Sequence, residues 1–165
     1  MRGVSMRKRT IEHGPLDMPS VEQRDWLDLE RCIQIEVTSE DAAHPIELAL
    51  VHTGAQGWRA EGPGEQTIRF LFDAPAKLRW VRLVFREDVQ GRTQEFVLRW
   101  SPDGGRTYRE IVRQQYTFSP PGTTREIEEY AADLDRVTAL ELRIVPDISG
   151  GNARASLERM QLAST

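Results

Sequence analysis

Three histidines, one cysteine and scattered carboxylates are the residues of this 165-residue chain that could break bonds or hold a metal. Their spacing assembles neither chemistry. His13 and His44 lie near Pro15 and Pro45 in loop-like segments and have no metal-ligand spacing with His52. Cys32 stands alone, which excludes a disulfide framework within the chain and a four-cysteine zinc site. No Ser-His-Asp or Cys-His constellation can be placed, and no glycine loop precedes a helix to cradle phosphate. Asp103 and Asp147 sit in Gly-containing turns, where a carboxylate closes an Asx turn. What remains is binding chemistry. Tyr116 and Phe118 flank Pro120-Pro121-Gly122, and aromatic rings beside such a loop can take the apolar face of a ligand. They can equally cover the edge of a sheet, and the residues alone leave both open.

The elements that would carry these residues are strands. In Glu95 to Val112, Phe96, Leu98 and Trp100 alternate with Val97, Arg99 and Ser101, the period of a strand with one buried face. Ser101-Pro-Asp-Gly-Gly105 then reverses the chain, and Tyr108 to Val112 returns. Cys32 to Val37, Thr67 to Phe72, Leu78 to Arg86, Arg125 to Tyr130, Ala139 to Val145 and Ala155 to Leu162 also carry strand character. Ala74-Pro-Ala76 reads as a turn, 131–137 as a connection, Gly54 to Gly64 as a long loop, and Ile46 to Val51 as a short helical turn. Seven or eight strands without a long amphipathic helix predict an all-β sandwich.

Residues 1–27 lack sustained periodicity and read as an extension, in which Met18 to Trp26 could form a short helix that lays Trp26 on the body. Residues 28–165 form the domain, a size that buries roughly 70% of the unfolded surface without staples. The formal charge of −4 gives no global basic field for nucleic acid. The 20 arginines against 2 lysines are the usage of a GC-rich, bacterial genome. No apolar run reaches the ~18 residues that would cross a membrane. The basic start, Met1 to Arg9, has no apolar stretch after it, so the expected location is cytoplasmic.

In order and spacing these pieces resemble the discoidin, or coagulation factor 5/8 type C, family of galactose-binding-like domains. Gly57-Trp58 precedes a strand after a glycine-rich loop. Gln66-Thr-Ile-Arg-Phe-Leu-Phe-Asp73 is similar to a family strand that ends in an acid, and Leu78 to Arg86 to the next, which ends in arginine. Ser101-x-Asp103-Gly104 leading to Tyr108 is similar to the family hairpin. Leu140 to Ile144 and Ser156 to Leu162 fit the last two strands. The resemblance spans about 33–162 and implies a jelly-roll sandwich of about eight antiparallel strands. It implies a non-catalytic binding module with loops at one end, 51–62, 86–93, 114–124 and 146–154, as the binding edge.

On this resemblance, Arg86 matches the arginine that sugar-binding members aim at hydroxyls, its fixed donors suiting vicinal pairs. An ion pair with Glu87 or Glu95 is the structural alternative. Arg92 falls where members often carry Asn, and His52 where they place a polar contact. Tyr116, Phe118 and Asn152 complete the implied ligand set, while Trp58 packs beneath its loop. Many members hold a structural calcium in the first loop. Here His52-Thr53-Gly54 replaces the expected Asp-Gly, which leaves Glu158 with Asp41 or Glu61 as ligands and one strong carboxylate short. The implied partner is a sugar. The alternative is a protein, since cytoplasmic members act as docking domains and Trp26 could anchor a partner.

Overall fold

Two 21-residue strands organise the molecule, and each was expected to be two strands with a turn between them. The computed structural model describes residues 24, 26–29, 33–51 and 57–165. Its strands are β1 (Ile33–Val37), β2 (Trp58–Pro63), β3 (Gln66–Arg86), β4 (Arg92–Ser101), β5 (Arg109–Phe118), β6 (Arg125–Val145), β7 (Arg154–Leu157) and β8 (Arg159–Ala163), with a one-turn helix α1 (Glu47–Leu50). β3 pairs antiparallel with β6 from Gln66↔Ile144 to Arg86↔Arg125, through register shifts between Leu71 and Trp80. Ala74-Pro75-Ala76 and the segment around Val137 are therefore not turns. They are bulged stretches of continuous strand, and the missing N–H of Pro75 falls where the pairing is interrupted.

The bulges switch which face is buried. Gln66, Ile68 and Phe70 point inward in the first half of β3, while Val81, Leu83 and Phe85 do so in the second. β1 pairs with the first half and β8 with the second, and β4 lies on the C-terminal half of β6 with β5 outside it. The two halves face each other. Phe85 of the second half stacks on Phe96 of β4 with ring centroids 5.0 Å apart, and both rings are fully buried. Leu98, Leu140, Leu142, Ile144 and Leu162 fill the same core. The result is an antiparallel β-sandwich of eight strands, as expected.

Two further differences matter for the site. The expected Gly54–Gly64 loop holds β2, which pairs with β7 in a two-stranded ribbon. The expected closing strand is two strands divided at Glu158: Leu157 pairs with Trp58, whereas Arg159 pairs with Val84. Glu158 marks the crossing from ribbon to main sheet, and its N–H donates to the Val84 carbonyl (2.8 Å).

The β4–β5 turn is built as expected. Asp103 accepts from the Ser101 and Thr107 hydroxyls (2.7 and 2.6 Å) and the Thr107 N–H (2.9 Å). Those donors, Thr107 foremost, hold its carboxyl down at about 2. Of the N-terminal extension, Arg24, Trp26 and Leu27 are described. Trp26 bridges Ala163, Leu27 N–H donates to Leu162 (2.8 Å), and the buried Arg24 guanidinium lies 4.3 Å from the Trp80 ring centre. The helix expected at Met18 to Trp26 otherwise lies outside the described residues.

Gly57 closes this arrangement. Its φ is +63°, and a Cβ there would lie 2.4 Å from the Leu157 carbonyl oxygen and 2.5 Å from Glu158 Cα. Gly57→Ala therefore forces apart the junction that seats Glu158, and should lower unfolding free energy by roughly 2–3 kcal/mol in a denaturant titration.

Candidate functional site

Arg86 is the last residue of β3, and its register partner is Arg125, the first of β6. Two guanidiniums side by side at one end of the sandwich need a counter-charge, and Glu158 supplies it. Its carboxylate oxygens lie 3.8 Å from Arg86 Nη1 and 3.2 Å from Arg125 Nε. The Glu158 side chain is 10% exposed and the two arginine side chains about half exposed, at 52% and 53%. The acid is thus sunk beneath cations whose outer faces stay open. Arg86 Nε also donates to Asp88 (2.9 Å), so its ion pairs are with Asp88 and Glu158 rather than Glu87 or Glu95.

Arg86 opens into a cleft of about 160 Å³. One side is the loop after β3, with Glu87, Asp88 and Val89; the other is the β2–β7 ribbon, with Arg59, Arg154 and Ser156; Trp58, Glu158 and His44 complete it. The ribbon side follows from strand alternation: Trp58, Ala60, Ala155 and Leu157 are buried, so Arg59 and its cross-strand partner Ser156 face the other way. His44 arrives by a turn laid along β2, with Asp41 N–H donating to the Arg59 carbonyl and Arg59 N–H to the His44 carbonyl. Trp58 is 1% exposed and donates its indole N–H to the Ser39 carbonyl (3.1 Å), so it packs beneath the cleft, as expected.

The other expected ligand residues disperse. Arg92 is buried: Nε donates to Glu87 (2.8 Å), and Nη1 to the Pro146 carbonyl (2.8 Å) and Gln94 (3.2 Å). Its guanidinium lies 4.8 Å from the Phe118 ring centre. Phe118 has no exposed surface, so the stacking-platform reading gives way to core packing for this ring. Tyr116 is half-buried, packs edge-on against Phe118 at 5.0 Å and donates its hydroxyl to the Arg125 carbonyl (3.2 Å). It covers the sandwich edge and does not line the cleft. Asn152 is exposed, two residues before Arg154. His52 lies outside the described residues.

Two of the carboxylates expected to hold calcium, Asp41 and Glu158, are engaged with other groups. Asp41 accepts from the Ala43 N–H (2.9 Å) and lies 3.9 Å from both His44 and Arg154, while Glu158 is shared by two arginines. Among the described residues no three His, Cys, Asp or Glu side chains converge as a metal would require. Sequence reasoning missed Arg59, Arg154, Ser156 and His44. The alternation of Trp58-Arg59-Ala60 was the available signal, hidden by the glycines that made the segment look like a loop.

A sequence model of the F5/8 type C domain matches residues 34–160. The chain belongs to the F5/8 type C family. No curated protein sequence matches this F5/8 type C domain, but many solved structures share its fold. The family 32 carbohydrate-binding module of Clostridium perfringens NanJ, solved with galactose, superimposes with a TM-score of 0.65 at 10% identity, covering 84% of this chain and 98% of that one. A GH89 module from the same organism, in complex with GalNAc-β-1,3-galactose, gives 0.62 at 15% identity over 84% and 99%. Reduced XRCC1 bound to the DNA polymerase β catalytic domain gives 0.60 at 14% over 86% and 98%.

Beneath the domain's loops runs a buried polar chain. Glu126 accepts from Gln94 Nε2 (3.0 Å), Gln94 accepts from Arg92, and Arg92 holds both Glu87 and Pro146. It fastens the loop after β3 and the loop after β6 to the core. Arg92→Ala should cost about 3–5 kcal/mol of stability in denaturant titration, because it leaves Glu87 without its charge partner. Burial first, and then neighbouring Glu128, push the Glu126 carboxyl up to about 8, against the pull of Gln94 and Arg92. A carboxyl raised in the folded state favours folding fully below its unfolded value, and that contribution fades as pH rises through the folded value. Stability should therefore decline between about pH 4.5 and 8 on account of Glu126. Glu126→Gln should flatten that limb in melts recorded from pH 4 to 9, gaining most relative to the parent at the alkaline end.

Proposed function

We propose that this domain is a non-catalytic carbohydrate-binding module whose ligand enters the cleft at Arg86. One observation carries the reading: Arg86 is half exposed in a concave site, fixed in direction by Asp88 and Glu158 beneath it. A guanidinium so held presents its remaining donors without losing rotamer freedom on binding, which suits adjacent hydroxyls. Ser156, Asp88 and Glu158 add acceptors at the same place. The fold likeness to modules solved with galactose and with GalNAc-β-1,3-galactose supports the same reading. Among the described residues that line the cleft, the Ser156 hydroxyl donates to the Arg86 carbonyl and not to a base, which supports retention of a glycan rather than its cleavage.

A second reading is a protein-docking module. It is favoured by the likeness to XRCC1 in its polymerase complex and by two exposed apolar side chains on the loops, Val89 (83%) and Ile148 (49%). Single exposed apolar residues are ordinary, so this reading ranks second.

A glycan array followed by calorimetry tests the first reading. Removing Arg86 as Arg86→Ala should cost about 1.5–3 kcal/mol of binding, about ten- to hundred-fold in Kd. An array without a hit on any sugar, with a stable protein complex retained through gel filtration, would move the assignment to docking.

A further inference from the structure

The cleft is lined by three arginines and three carboxylates, but these charges are unevenly distributed across it. Glu87 is turned inward to the buried Arg92 (2.8 Å). Asp88 is taken by Arg86, and Glu158 is shared between Arg86 and Arg125. Every carboxylate of the lining is therefore already paired with a guanidinium. On the facing ribbon the balance is opposite. Arg154 has Asp41 only at 3.9 Å, with 42% of its side chain exposed. No ion pair or side-chain hydrogen bond joins the exposed Arg59 to another described residue. Arg59 stands opposite Ser156, and Arg154 is two residues along β7, so both guanidiniums lie on the face of the ribbon that lines the cleft. This cation-rich face sits in a chain whose overall charge is −4, so it belongs to the site and not to the composition.

Building on the carbohydrate reading above, we propose that this cleft selects a sugar bearing an anionic group, a uronic-acid carboxylate or a sulfate ester, over its neutral counterpart. The argument is one of geometry and solvation. A guanidinium fork matches two oxygens of one anionic group and gives up its hydration more readily than an ammonium. Among the described residues Arg59 has no side-chain partner and Arg154 only Asp41 at 3.9 Å, so an anion displaces no close carboxylate from either. Arg86, Asp88, Glu158 and Ser156 are left for the ring hydroxyls. A neutral sugar placed the same way would keep the hydroxyl contacts and forgo the charge-assisted pair.

Calorimetry on the full chain separates the possibilities, using a uronic-acid oligosaccharide, the same oligosaccharide with its carboxylates methyl-esterified, and a sulfated oligosaccharide. The acid should bind about 10-fold or more tightly than the ester, the added strength of a charge-assisted pair over a neutral one. The advantage should shrink as salt is raised. Arg59→Gln/Arg154→Gln should bring the acid to the level of the ester, and each single variant part of the way. A melting curve checks that the exposed substitutions leave the fold intact, and the single variants remain informative if the double variant melts early. Tighter binding of the sulfated sugar than of the uronic acid supports the proposal with sulfate as the anion. Equal affinity for acid and ester, or a preference that survives the double variant, overturns the proposal and leaves the carbohydrate reading standing. Failure to bind the acid, the ester and every neutral glycan overturns both.

Discussion

β3 and β6 stay paired with each other from one end of the sandwich to the other, yet the surface they bury must face itself. A sheet cannot do this while its strands keep one alternation, because a strict period of two commits every second residue to one side. The register shifts between Leu71 and Trp80 resolve the conflict by moving the inward set of β3 from even to odd positions. Everything else is arranged around that switch. β1 and β8 use the same edge of β3 at its two ends, β4 and β5 extend one half, and the Phe85–Phe96 contact ties the halves together.

The cleft end inherits its character from this arrangement. Arg86 and Arg125 terminate the two long strands as register partners, so their guanidiniums converge for the same backbone reason that Phe85 lies opposite Glu126. Glu158 is placed between them by the closing strand, whose crossing from ribbon to sheet falls at that residue. Beneath, the polar chain from Glu126 to Glu87 and Pro146 replaces the apolar core where the sandwich runs out. Such a chain is costly to break, since each member is dry and depends on the next. It gives the loops rigid roots while their tips, such as Val89, remain exposed.

Much of the fold was legible because apolar alternation survives in the strands that form the centre: Ile68/Phe70, Val81/Leu83/Phe85, Phe96/Leu98 and Leu140/Leu142/Ile144. The turn chemistry of Ser101 to Gly105 was equally plain. The errors share a cause. Pro75 and its alanine neighbours carry turn residues, but a bulge needs the same freedom from ladder hydrogen bonds that a turn does. The Gly62-Pro63-Gly64 cluster likewise masked β2 and, with it, Arg59. At the site, the resemblance put Arg92 and Phe118 among the ligand residues, yet Arg92 and Gln94 continue the inward face of Phe96 and Leu98. Arg92 and Gln94 are both buried, and Phe118 with them. Arg86 was identifiable because Leu78 to Arg86 resembles a family strand that ends in arginine. The arginines of the ribbon were not, because β7 and β8 look like one strand until the pairing divides them.

The crossing at Glu158 also separates two kinds of inheritance. Arg86 and Glu158 owe their positions to backbone ladders, with Glu158 N–H on Val84 and the Ser156 hydroxyl on the Arg86 carbonyl. The loops that frame them hang from the same ladders, joined to them through single backbone bonds such as Glu87 N–H to the Thr124 carbonyl and Ile148 N–H to the Thr93 carbonyl. Loop tips of this kind accept changes in length and sequence that a paired strand does not. A lineage of such domains can therefore rewrite the rim of its cleft while the arginine–glutamate pair at the bottom stays in place.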